Sequence, residues 1–243
     1  MRFLTIFLLV LAVSCNKKKA KSSLSYYIDE NKALEQADLI GCAASQSPLS
    51  SNTTYPTDVF FYPINGAYNY RYFECEDLAD SSDFSKYFEK ELPQQPVFGG
   101  YLHKFKNTNF DGERMGVVTY ETPGKLHTCT PIRLKNNVKP TEYNSVILTT
   151  TENGITPTFE WQDGKIKENV IYFQVVSDTL GNFISGTYTY DTDFTFYDTS
   201  NVVLNITKGL PELLPNSRYN FTLMAVSEDN WVNLISQKTF NTF

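Results

Sequence analysis

Leu210-Pro211-Glu212-Leu213-Leu214-Pro215-Asn216-Ser217-Arg218-Tyr219-Asn220-Phe221-Thr222-Leu223-Met224-Ala225-Val226 passes from a proline-bounded turn into strict alternation. Phe221, Leu223 and Ala225 share one face of an extended chain, and Thr222 and Met224 share the other. The same pattern repeats on either side. Short β-favouring runs occur at Ser145 to Thr149, Thr156 to Trp161, Val170 to Ser177, Gly186 to Tyr190, Val202 to Thr207, Tyr219 to Val226 and Ser236 to Phe243. Asn153-Gly154, Asp163-Gly164 and Ser227-Glu228-Asp229-Asn230 punctuate them with residues that tolerate tight turns. Regularly spaced short strands predict a β-sandwich over residues 138–243.

Two features of this half resemble the fibronectin type III branch of the immunoglobulin-like sandwiches. Phe159-Glu160-Trp161 ends a run with a tryptophan where that family places a core Trp, and Leu210-Pro211 through Tyr219 is similar to its tyrosine corner. The resemblance implies that the Tyr219 ring packs under the corner and its hydroxyl returns to an upstream backbone group. It also implies a module whose function sits in loops or strand edges, so Trp161 and Tyr219 are expected to be core.

Residues 24–135 read as a second β-rich domain, joined through Lys135-Asn136-Asn137, which gives an all-β chain of two β-sandwich domains in tandem. Asp58 to Ile64 and Tyr68 to Cys75 flank Asn65-Gly66-Ala67 like a hairpin, and Pro96 to Lys106, Arg114 to Glu121 and Lys125 to Thr130 follow as strands. The apolar spacing of Phe84, Tyr87, Phe88 and Leu92 predicts one short helix over Ser82 to Leu92. Residues 29–44 fit either a helix from Asp29 to Ala37 or a strand from Leu39 to Ala44.

At the start, Arg2 and the apolar run Phe3 to Val13 are too short to span a membrane, which takes about 20 residues, and read as a secretory signal. The run ends in Leu11-Ala12-Val13-Ser14-Cys15, which resembles the lipobox of bacterial lipoproteins, with its leucine one residue further upstream than that family prefers. The resemblance implies removal of residues 1–14, lipidation of Cys15 and residence in a bacterial cell envelope; Asn16 after the cysteine points to the outer membrane. Residues 15–23 carry Lys17, Lys18, Lys19 and Lys21 and no large apolar side chain, the composition of a tether.

The chain has 243 residues and a net charge of -6, which argues against a nucleic-acid partner. Residues 138–243 hold 6 basic and 12 acidic residues, so the negative charge lies away from the tether. Aromatics make up 15%, with 16 Tyr and 18 Phe, and most of them alternate along the expected strands. Tyr68, Tyr70 and Tyr72 alternate too: exposed, they would form a ring platform for a glycan or a protein, and buried they would be core.

Other constellations are sparser. Cys42, Cys75 and Cys129 permit three pairings or none. His127 and Cys129 share a strand face and offer a fragment of a metal site or a core pair. Asp191, Asp193 and Asp198 read as a Ca²⁺-binding face or as a charged sheet edge that resists pairing with other chains. No nucleophile, zinc or phosphate-loop motif is present, no metal or cofactor is called for, and Glu89, Glu91, Glu160 and Asp163 read as solvated charges. The expected protein is a membrane-anchored envelope lipoprotein acting as a non-catalytic binding or scaffold module. The alternatives are a glycan-binding lipoprotein using an aromatic face, and a hydrolase built from dispersed carboxylates in residues 24–135.

Overall fold

A computed structural model describes residues 22–46, 55–108, 112–145, 148–151 and 154–243. The signal, Cys15 and the lysine-rich segment lie outside the described residues.

The N-terminal lobe begins with α1 (Leu24–Glu30), where the Ser23 hydroxyl accepts from the Tyr26 N–H and Leu24 and Tyr27 are buried on one face. Ten strands follow: β1 (Glu35–Leu39), β2 (Gly41–Ser45), β3 (Thr57–Phe61), β4 (Tyr68–Cys75), β5 (Phe88–Glu89), β6 (Gln94–Val97), β7 (Leu102–Asn107), β8 (Arg114–Thr122), β9 (Lys125–Cys129) and β10 (Ile132–Leu134). Sheet I runs β1-β9-β8-β4-β5, with β10 also on β8, and sheet II runs β2-β3-β7-β6.

Two expectations for this lobe are corrected. The helix lies at Leu24–Glu30, and the segment expected to be helical, Ser82 to Leu92, is a 3₁₀ turn at Phe84–Lys86 followed by β5. Asp83 caps that turn through the Ser85 N–H, and Tyr87 then leaves it in extended geometry to enter the core, its hydroxyl donating to the Ser81 carbonyl at 2.6 Å. An apolar spacing that imitates a helix is thus satisfied by one turn and one bridge. The strands β3 and β4 are also not a hairpin, because the turn at Asn65-Gly66 carries the chain from sheet II to sheet I.

The C-terminal lobe comprises β11 (Glu142–Tyr143), β12 (Leu148–Thr151), β13 (Thr158–Trp161), β14 (Asn169–Asp178), β15 (Phe183–Thr189), β16 (Asp193–Thr195), β17 (Val202–Asn205), β18 (Arg218–Ser227) and β19 (Val232–Asn241). Sheet III is β11-β19-β18-β14-β15-β17 and sheet IV is β12-β13-β16, a fibronectin type III-like sandwich. The corner forms as its residues imply: Tyr219 is buried, and its hydroxyl accepts from the Leu214 N–H at 2.9 Å. Trp161 lies in the same core, tilted against Tyr172 and Phe221.

The four sheets stack in series around three cores. Val59, Phe61 and Phe105 of sheet II face Tyr72, Val118 and Leu126 of sheet I, while Phe60, Ala44 and Leu102 turn the other way onto Phe173, Val175, Met224 and Val226 of sheet III. The inner face of sheet III, with Phe221, Leu223 and Ala225, packs on Phe159 and Phe194 of sheet IV. Every residue of β3 is buried because both its faces are covered.

The junction between lobes is itself packed. Lys135 and Asn136 are buried, and the Asn136 amide donates to the Tyr55 carbonyl at 2.8 Å. Trp231, from the turn between β18 and β19, belongs to the core of the N-terminal lobe, and its indole N–H donates to the Lys139 carbonyl at 2.8 Å. Around it, Ala43 N–H donates to the Asn230 carbonyl at 3.0 Å, and Lys135 pairs with Asp229 at 2.5 Å. Ser45 and Thr141 exchange backbone-to-hydroxyl bonds at 2.9 and 2.7 Å.

Candidate functional site

The loop Tyr62 to Ala67, which moves the chain between sheets, is fixed from beneath by one phenol. The Tyr120 hydroxyl accepts from the Ile64 N–H and donates to the Tyr62 carbonyl, both at 3.3 Å. Beside this loop lies the tight turn between β6 and β7, where Phe98, Gly99 and Gly100 all have positive φ. Gly99 suits that turn by its φ of 64°, and it lies against Asn182 of the other lobe at ordinary contact distance. The turn delivers Tyr101 onto Phe183 of the C-terminal lobe, ring on ring, with centroids 3.6 Å apart and planes 6° apart.

Between these two loops opens a cleft of about 250 Å³, lined by Tyr62, Tyr70, Tyr101 and His103, by the loop backbone around Gly66, and by Lys208 from the C-terminal lobe. Tyr70 tilts against His103 at 5.1 Å and donates its hydroxyl to the Ala67 carbonyl at 2.9 Å. His103 takes a short hydrogen bond at Nδ1 from the Gln94 amide, and burial lowers its pKa, so at neutral pH the ring is uncharged with its N–H on Nε2. Burial raises the Tyr62 phenol, with a contribution from neighbouring Tyr101. The Lys208 ammonium lies 5.9 Å from the Tyr101 ring centroid. The cleft is therefore a ring-lined hollow with hydrogen-bond donors and one cation at its edge.

The three tyrosines read from the sequence do not stand together. Tyr72 is 1% exposed and donates to Glu74 at 3.0 Å, Tyr70 enters the cleft, and Tyr68 is 48% exposed on a different surface. The cause is a register break between Tyr68 and Arg71 with Asn69 at φ 54°, which interrupts the two-residue alternation. Tyr68 joins Tyr27 and Asn69 around Glu121; burial opposes ionisation of that carboxyl, but these hydrogen bonds and nearby Arg71 outweigh it and hold the pKa below the usual value. Tyr62, Tyr101 and Lys208 lie outside the strands and His103 near the start of β7, so alternation does not group them. The signal that marks them is their position beside Asn65-Gly66, Gly99-Gly100 and Gly209.

The remaining candidates have structural partners. Cys42, Cys75 and Cys129 are free thiols; Cys129 accepts from the Val118 N–H at 3.1 Å, and burial pushes the Cys42 and Cys129 thiols up to about 12. His127 is buried between Thr122 and the Asp38 carbonyl, its ring stacked on Tyr120 at 4.6 Å. Asp198 caps the Ser200 N–H at 2.9 Å, and Asp193 belongs to the short edge strand β16. Among the described residues no three His, Cys, Asp or Glu side chains are grouped to hold a metal ion.

Of the buried acidic side chains in the N-terminal lobe, Asp58 pairs with Lys104 at 2.7 Å, and Glu74 lies deeper. It receives bonds from Tyr72 and Asn107 at 3.0 and 2.5 Å and shares Lys90 and Arg114 with Glu76. Desolvation raises its pKa against the pull of those partners. Glu89 pairs with Arg71 at 3.2 Å, and Asp163 accepts from Tyr172 at 2.8 Å.

No family model matches the sequence, and no curated protein matches it. Among solved structures, the chain is similar to a two fibronectin type III domain segment from chicken tenascin, at 13% identity and a TM-score of 0.31, covering 82% of this chain and 99% of that one. The fibronectin domains FN1–FN3 of chicken CNTN1 align at 11% identity and a TM-score of 0.31, covering 86% and 68% of the two chains. The C-terminal lobe is fibronectin type III-like by its own strand order and tyrosine corner.

Proposed function

We propose that this chain is a lipid-anchored, non-catalytic binding protein of a bacterial envelope, which presents the cleft between its two lobes to a ligand. The observation that carries the binding reading is the convergence of Tyr62, Tyr70, Tyr101, His103 and Lys208 on one open hollow. Rings with polar tips at a preformed concavity are what small-ligand recognition uses. The anchoring reading rests on the signal and on Cys15, followed by four lysines that favour an anionic membrane surface.

Two experiments separate the two halves of this proposal. Cys15→Ser moves the protein from the membrane to the soluble fraction; unchanged partitioning overturns the anchor. A hydrolysate of bacterial envelope material raises the Tm of the wild-type protein but not of Tyr62→Ala. No shift in the wild type, or an equal shift in both, overturns the cleft as the binding site.

A further inference from the structure

The cleft has a chemical bias that narrows the class of its ligand. None of its lining residues is acidic, although the chain as a whole carries a net charge of -6. Lys208 is exposed, and among the described residues it forms no ion pair. The one charged group is the ammonium of Lys208, and donors also come from the Nε2–H of neutral His103 and from the hydroxyls of Tyr62 and Tyr101, for which no hydrogen-bond partner exists among the described residues. The Tyr70 hydroxyl is already spent on Ala67, so that residue contributes its ring.

Size sets a second limit. About 250 Å³ lies just under the ~300 Å³ lower end of drug-sized sites, room for one ring rather than a folded peptide or an extended chain. Three phenol rings and an imidazole favour a ligand whose own ring has an apolar C–H face and a hydroxylated edge. A cation without a counter-charge at one end favours a carboxylate there, through a charge-assisted hydrogen bond.

Resting on the binding reading above, we infer that the cleft receives a carboxylated sugar ring, with the pyranose against Tyr62, Tyr70 and Tyr101 and the carboxylate at Lys208. The neutral His103 and the Tyr62 and Tyr101 hydroxyls then meet the ring oxygens. Because Tyr101 is held by Phe183 and Lys208 also comes from the C-terminal lobe, both lobes contribute to the site.

The test titrates the purified protein with glucuronate, glucose and acetate by calorimetry or ligand-observed NMR. Glucuronate is expected to bind at least about tenfold more tightly than glucose, the equivalent of one charge-assisted contact. Lys208→Ala brings glucuronate down to the glucose level with Tm unchanged, since the side chain is exposed, and rising salt has the same direction of effect. Tyr62→Phe weakens glucuronate and glucose alike. Equal binding of glucuronate and glucose overturns the carboxylate and leaves the binding cleft standing. Acetate competing as well as glucuronate overturns the sugar. An envelope hydrolysate that stabilises the protein through Tyr62 while neither sugar binds overturns the inference and keeps the binding reading; absence of all three effects removes both.

Discussion

Tyr219 shows what one hydroxyl contributes. It accepts from Leu214, whose carbonyl in turn receives the Thr242 hydroxyl, so the corner ties the chain ahead of β18 to the end of β19. Tyr219→Phe keeps the ring and deletes the bond, so the unfolding free energy should fall by about 1 kcal/mol, seen as a lower urea midpoint with the slope unchanged. Glu74 works in the opposite sense. A carboxyl whose pKa is raised on folding contributes stability that is complete below its unfolded pKa and is lost as pH rises through the folded value. At neutral pH its ionised form is therefore a cost, and Glu74→Gln should raise Tm at pH 7, with the gain shrinking toward pH 4. A lower Tm at pH 7 would mean that the pairs with Lys90 and Arg114 outweigh desolvation. These two residues also show the limits of reading a sequence: Tyr219 was legible because its chemistry is local to a turn, whereas nothing around Glu74 in the chain distinguishes it from Glu76, which lies at the surface.

At the scale of elements, strands were legible wherever alternation survived. Phe221, Leu223 and Ala225 separate from Met224 and Val226 as the period-two rule requires. What alternation could not tell is that the second face is also covered, since Met224 is buried against sheet II while Leu223 is buried against sheet IV. The row of tyrosines divides for a related reason: period two holds only while the ladder is unbroken, and Asn69 breaks it. The segment around Tyr87 misled because apolar spacings of three and four residues suit a helix and a turn-then-strand equally, and only the position of sheet I decides between them. The cleft escaped because its residues come from the β3–β4 crossover, the β6–β7 turn, the adjoining ends of β4 and β7 and the segment after β17, which meet only when the sheets are stacked.

At the scale of the molecule, Trp231 makes two lobes into one unit. Its indole is 0% exposed and fills the core of the lobe to which its own strands do not belong. Trp231→Ala should destabilise the protein by about 3–5 kcal/mol, the range for emptying a large aromatic site. The chain's two tryptophans report on separate cores, Trp161 on the outer one of the C-terminal lobe and Trp231 on that of the N-terminal lobe. Single-tryptophan proteins made by Trp161→Phe and Trp231→Phe should each show one fluorescence transition coincident with that protein's own circular dichroism transition; two resolved steps in either would refute a single unit. The same wedge governs the order of assembly. Trp231 bonds to a carbonyl 92 residues earlier, and Ser45 meets Thr141 across 96 residues. Domains usually fold one after another as a chain is synthesised. Here the core of the first lobe is completed only when the last hairpin of the second arrives, a long-range closure of the kind that slows folding and leaves apolar surface open in the meantime.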